Sequence, residues 1–281
     1  MNTHARTVTN IISGQATSDG AGVRLNRVIG SAQLSELDPF LLLDEFLSDD
    51  PDDYIAGFPD HPHRGFETVT YMLAGRMRHG DNRGNSGLLQ AGSAQWMTAG
   101  RGIVHSEMPE QENGRMWGFQ LWVNLPARAK MCEPRYQDIP PDAIPEVALS
   151  ERSRARIVAG TLDGTQGPIS DIDAEPVYFD LRLAGGDEVE IPLPAAHTAF
   201  VYCYVGKLLI GVDPGTALDR GRLAVLSDGN TVALRAGTED AQAIVVAGRP
   251  FNEPVARYGP FVMNTQQELM EAIQDLRAGR F

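Results

Sequence analysis

His61-Pro62-His63 and His105-Ser106-Glu107 each place two metal-capable side chains two residues apart. On a β-strand, residues i and i+2 project to the same face, so each word aims two donors in one direction. Two such words on neighbouring strands aim four donors into one space. Three imidazoles and a carboxylate make a coordination set for a divalent transition metal. Barrel strands alternate inward and outward residues in this way, and the pattern predicts a metal site inside a β-barrel.

The residues around the two words refine the expectation. Pro62 lacks a backbone donor, which suits the first residues of a strand or an edge position. By parity His61 and His63 share a face with Gly65, Glu67, Val69 and Tyr71. Glu67 is therefore the rival carboxylate to Glu107, as an outer partner or an alternative ligand. His79, beyond the turn at Gly75, is expected in a loop or outside the ligand set. Gly102 supplies a tight turn before the second word. Four protein ligands on an octahedral ion leave two positions open, and this set favours iron, manganese, nickel or copper over calcium. Tetrahedral zinc with four protein ligands would instead be a closed structural site.

The rest of the chain reads as housing. Among 281 residues, 29 glycines and 18 prolines punctuate short apolar runs, the pattern of a β-rich protein. The Pro-rich stretch Asp138-Ile139-Pro140-Pro141 marks the expected boundary between residues 1–137, holding the metal, and residues 138–281. Thr265-Gln266-Gln267-Glu268 reads as a capping box, with Leu269, Ile273 and Leu276 at helical spacing behind it and Gly279 closing the helix. Two segments resemble one another: residues 66–77 and 197–208 are both strand, glycine turn, strand. Aligned on Gly75 and Gly206, His61 falls on Pro192, His63 on Pro194 and Glu67 on Thr198. The second half keeps the framework and loses the donors, and its single histidine, His197, has no His or Glu two residues away. Two similar barrels are expected, with metal in the first alone.

A formal net charge of −13 argues against direct nucleic-acid binding, which needs concentrated basic surface. Arg76, Arg78 and Arg83 read as a solvated face. No apolar run is long enough to span a bilayer, and Met1-Asn2-Thr3-His4-Ala5-Arg6 lacks the apolar core of a signal peptide, so a cytoplasmic protein is expected. Two cysteines, Cys132 and Cys203, exclude a disulfide framework.

The run from His61 to Tyr71, the run Gln95-Trp96-Met97-Thr98-Ala99-Gly100-Arg101-Gly102 through His105-Ser106-Glu107-Met108-Pro109, and Tyr258-Gly259-Pro260-Phe261-Val262-Met263-Asn264-Thr265 resemble the pirin family. The resemblance runs from about Gly30 to the C-terminus and is weakest over 133–196. It implies an all-β fold of two cupin barrels (double-stranded β-helices) in tandem, with minor helix that includes the C-terminal one. It implies one metal, usually iron, in the N-terminal barrel, and its ligand positions map onto His61, His63, His105 and Glu107. The cofactor expected is one divalent ion, Fe(II) first, with Mn, Ni, Cu, Co or Zn as alternatives.

Bacterial pirins resemble quercetin 2,3-dioxygenases, which open the central ring of a flavonol with O2 and release CO. Animal pirin is an iron-dependent coregulator, so the alternative is a redox-sensing module with a protein partner; fold alone does not choose between them. The enzyme reading takes a small aromatic, flavonol-like substrate with O2. It gives Glu107 a catalytic role as base as well as ligand. Phe58, Phe66, Met77, Trp96, Trp117 and Phe119 are candidates for an apolar wall, of which two or three are expected to reach the cavity. The sequence holds no activation segment or basic nuclear cluster, which favours the enzyme.

Overall fold

The computed structural model describes residues 4–111 and 113–281; Met1, Asn2 and Thr3 of the amino-terminal reading lie outside them. The chain divides into two compact units, each drawn from separated segments. The first comprises Gln15–Ser31, Pro39–Pro141 and Phe251–Phe281. It holds a seven-stranded antiparallel sheet in the order Arg135–Ile139, Ala94–Thr98, Phe66–Ala74, Met116–Asn124, Phe40–Ser48, Val23–Ile29, Gln15–Asp19. A four-stranded sheet follows the order Phe58–His63, Ile103–Pro109, Arg76–Asp81, Ser86–Gln90. Leu25, Phe46, Met72 and Met116 from the larger sheet pack with Met77 and Leu89 from the smaller to make the core between them.

The second unit comprises the described part of Met1–Gly14, with Ala32–Asp38 and Asp142–Pro250. Its large sheet runs Val8–Ser13, Arg222–Leu226, Thr198–Val205, Ala241–Gly248, Val177–Leu183, Arg154–Ala159, Glu146–Ala148. Its small sheet runs Glu188–Pro192, Thr231–Ala236, Lys207–Ile210, Thr216–Asp219. The two units thus repeat one topology strand for strand. Gly75 and Gly206 sit at the same junction in each, both in the left-handed region at φ 88° and 70°. A side chain at Gly206 would also put its Cβ 2.4 Å from the Asp240 carbonyl oxygen, so the shared glycine is a steric requirement.

The expectation of two cupin domains, mostly strand with a C-terminal helix, therefore matches the architecture. The division differs from an expected cut between 137 and 138. The nearest change of unit falls between Pro141 and Asp142, and the terminal segments are exchanged. Val8–Ser13 hydrogen-bonds along Arg222–Leu226 as an edge strand of the second unit, and Ile12 is buried there. At the other end, the hairpin Ala256–Tyr258 and Phe261–Met263 and the helix Gln266–Arg277 belong to the first unit. Thr265 and Glu268 form the predicted capping box, and Leu269 and Ala272 bury against Phe261 and Met263.

One buried cation fastens this C-terminal segment. Lys130 Nζ donates to the carbonyl oxygens of Gly65 (2.8 Å) and Val262 (2.9 Å) and to Asn124 Oδ1 (2.8 Å). Burial draws its pKa down to about 8, which leaves it protonated at neutral pH with a hydrogen for each acceptor. Lys130→Met removes all three bonds and strands the acceptors. The expected loss is roughly 3 kcal/mol, read as a lower urea midpoint.

Candidate metal centre

Pairing of Phe58–His63 with Ile103–Pro109 builds the site. Their antiparallel register sets Ile103 opposite His63 and His105 opposite His61. The two words thus become neighbours, as the i, i+2 argument requires. Along the second strand Ile103, His105 and Glu107 are buried while Val104 and Ser106 are half-buried, so His105 and Glu107 share the inner face. The register shifts between His105 and Glu107, which pair with His61 and Phe58. Such irregularities re-aim side chains and recur beside active sites.

The three rings converge. Centroids lie 4.4 Å apart for His61 and His105, 4.6 Å for His61 and His63, and 5.0 Å for His63 and His105. One ring nitrogen from each falls within 4.8 Å of the others. Among the described residues no other set of three His, Cys, Asp or Glu donors comes together like this. His61 Nδ1 lies 2.8 Å from the Pro59 carbonyl oxygen, to which it donates, so Nε2 is the nitrogen that would face a ligand. Burial, reinforced by the neighbouring imidazoles, drives His63 and His105 well below the ordinary histidine pKa. Both are therefore neutral, the form that binds metal. His63 Nδ1 and both nitrogens of His105 are buried without a hydrogen-bond partner. Buried polar atoms are rarely left so, and a divalent ion would satisfy a nitrogen of each ring. The residues present fit a metal.

Glu107 is not within that tight trio. It is buried and lines the same cavity as His61 and His63. Its Oε1 lies 3.0 Å from Thr70 Oγ1, and its Oε2 accepts a long bond, 3.5 Å, from Gln120 Nε2. Burial pushes its pKa up, against the pull of His61 and of these hydrogen bonds.

Two neighbouring candidates separate from the trio. The run from His61 to Tyr71 is not one strand: Gly65, at φ 87°, ends the first, and Phe66–Ala74 lies in the other sheet. Parity does not carry across that break. Glu67 accepts from Thr98 Oγ1 at 2.7 Å and lies outside the histidine cluster. His79 stands outside the trio too, but on a strand rather than in a loop. It pairs with Glu107 across Arg76–Asp81, is buried, and has Nε2 3.3 Å from Asp138 Oδ2. Gly65 has a second task. A Cβ there would stand 2.0 Å from the Val262 carbonyl oxygen, so only glycine lets the C-terminal hairpin close on the chain behind His63.

The cavity has a volume of about 520 Å³. Of the six apolar candidates, Phe58 and Met77 reach its wall; Phe66, Trp96, Trp117 and Phe119 do not, while Leu25, Leu42, Phe46 and Trp122 do. Trp122 was missed because it sits at a strand position that reads as ordinary core. Its ring meets His63 edge-on at 5.3 Å. In the second unit the corresponding strands contribute Val189, Ile191, Val232 and Leu234 to an apolar core. His197 there faces Glu175 at 3.7 Å, and among the described residues it joins no cluster of metal donors.

Comparison with known proteins agrees with this anatomy. The family model described as Pirin matches residues 22–123, and that described as Pirin C-terminal cupin domain matches 178–281. A pirin-like protein from Caulobacter vibrioides is 50% identical over 277 residues, 98% of this chain and 99% of its own. Human pirin is 40% identical over 276 residues, covering 97% and 93%. The crystal structure of a quercetin 2,3-dioxygenase from Acinetobacter baumannii superposes with a TM-score of 0.92 at 34% identity, covering 99% of each chain. The fold and site define a two-cupin protein, and the chain belongs to the pirin family. No helix is long and apolar enough to cross a membrane among the described residues.

Divalent metal should stabilise the protein by mass action, by about 2.7 kcal/mol at a hundredfold excess over Kd. Titrating Fe(II) or Ni(II) should raise the Tm of the wild type and leave that of His105→Ala unmoved. Equal shifts in both would place the ion elsewhere.

Proposed function

We propose that this pirin is a metal-dependent dioxygenase acting on a flavonol-like aromatic substrate, opening the central ring of a quercetin-type molecule with O2 and releasing CO. The observation that carries the reading is one cavity in which imidazoles and a buried carboxyl group face an aromatic wall. The likeness to a solved quercetin 2,3-dioxygenase supports it. The cavity's volume, about 520 Å³, suits a three-ring substrate.

His61, His63, His105 and Glu107 would hold the ion. When bound, it would supply Lewis-acid and redox chemistry toward O2, Fe(II) being the first candidate. The chain's own residues supply binding and proton handling. Phe46, Phe58 and Trp122 receive the flat apolar body of the substrate. Glu107 takes the proton of the substrate's acidic hydroxyl onto Oε1, leaving an electron-rich ring system; its raised pKa suits a base that must hold that proton.

Thr70 fits both states of Glu107. Its Oγ1 lies 3.0 Å from Glu107 Oε1 and 2.7 Å from Gln120 Oε1. One hydroxyl hydrogen serves only one of them at a time. With Glu107 ionised, Thr70 donates to it. With Glu107 protonated, Thr70 turns to Gln120 and accepts from Glu107. The pair therefore follows the proton without moving the backbone.

The test is quercetin loss and CO release by metal-loaded protein. Glu107→Gln should cut turnover by roughly 10²–10⁴-fold with the unfolding midpoint largely kept. No turnover with iron, manganese, nickel, copper or cobalt would sink the reading.

A further inference from the structure

The cavity has a second polar region apart from the histidines and Glu107. Arg27 and Asp44 are cross-strand partners on Val23–Ile29 and Phe40–Ser48, and both line it. Arg27 Nε donates to Asp44 Oδ1 at 2.9 Å, and its Nη2 donates to Asp44 Oδ2 at 2.7 Å. The same Nη2 donates to Asp19 Oδ2 at 2.8 Å. Asp19 Oδ1 accepts from the Gly20 backbone at 2.8 Å. Arg257, also on the wall, stands with its guanidinium 4.9 Å over the Trp122 ring and donates to the Leu41 carbonyl oxygen at 3.0 Å.

Two cations and two carboxylates thus share this wall, and its formal charge cancels. The hydrogen-bonding capacity does not cancel. Three of the five Arg27 donors are spent on carboxylates, while each carboxylate oxygen keeps a further lone-pair direction. The side is therefore rich in acceptors, and Asp44 is nearly buried, at 3% exposure, where such bonds are strongest. An anionic substituent would meet two carboxylates, with Arg27 already committed to them and Arg257 held to the Leu41 carbonyl and over Trp122; a neutral hydroxyl would meet acceptors.

We propose that the Asp19–Arg27–Asp44 cluster is a specificity determinant that selects neutral, polyhydroxylated aromatic ligands and rejects aromatic anions such as sulfate esters. Asp44 and Asp19 accept from phenolic hydroxyls, and Arg27 holds both carboxylates in place. For its probe compounds the inference rests on the flavonol reading of the cavity.

The experiment is calorimetric binding to metal-loaded protein without oxygen, using quercetin, 3-hydroxyflavone (which lacks the additional hydroxyls) and quercetin 3′-sulfate. The wild type should bind quercetin roughly tenfold more tightly than 3-hydroxyflavone, the worth of one or two charge-assisted hydrogen bonds, and more tightly than the sulfate. Asp44→Asn should shrink the preference over 3-hydroxyflavone to within about twofold and narrow the gap to the sulfate. Asp19→Asn, at an exposed position, should move both ratios the same way and carries the test if the buried substitution misfolds. Equal wild-type binding of the three ligands, preference for the sulfate, or ratios unchanged in both variants would overturn the inference. Because oxygen is absent, binding is read without turnover. Discrimination as stated in a protein that releases no CO would refute the dioxygenase and support the cluster's role. CO release without discrimination would do the reverse.

Discussion

The structure turns on three imidazoles brought against one another, two of them, His63 and His105, buried and neutral. His63 Nδ1 and both His105 nitrogens lack protein partners, and each unsatisfied buried group costs roughly 1–3 kcal/mol. A divalent ion would satisfy a nitrogen of each ring. The second unit shows what the same topology does without that demand. Its matching strands place Val189, Ile191, Val232 and Leu234 in a continuous apolar core. Two copies of one sheet order therefore differ in what fills them, and among the described residues three imidazoles meet only in the copy that gave up apolar packing.

Holding that cluster needs rigidity from its own unit. The strand carrying His61 and His63 ends at Arg64 and Gly65, and the C-terminal segment closes on this point. Arg64 donates to Asp275 at 2.8 Å, and its guanidinium lies 4.3 Å from the centre of the Phe281 ring. Lys130 ties Gly65 to Val262. The helix and hairpin are thus part of the unit that holds the three histidines although they come last in the chain.

That arrangement marks what was legible in sequence. The two donor words were readable because strand periodicity is local: i and i+2 share a face whatever the rest of the chain does. The repeat was readable because Gly75 and Gly206 each answer a left-handed turn. The exchange of terminal segments was not, because pairing of Val8–Ser13 with Arg222–Leu226 joins residues more than two hundred positions apart and no local pattern records it. The parity argument for Glu67 failed for a local reason: it assumed one strand where Gly65 separates two. The Asp19–Arg27–Asp44 cluster left no trace either, since salt partners on adjacent strands are set by register rather than by spacing.

Register also sets which polar groups share the cavity with its apolar wall. His105 opposite His61 fixes one polar region through the small sheet. Arg27 opposite Asp44 fixes the other through the large sheet. Phe46 and Trp122, on neighbouring strands of the large sheet, supply apolar surface to the same cavity. On the proposed reading, a ligand that satisfies all three is flat, with apolar surface and more than one hydroxyl. On that reading one hydroxyl is acidic enough to give its proton to Glu107, and the others are neutral enough to lie against Asp19 and Asp44. The two sheets would thus impose opposite demands on hydroxyls of one molecule, and that opposition would narrow the ligand more than the three imidazoles do, since imidazoles accept many ions.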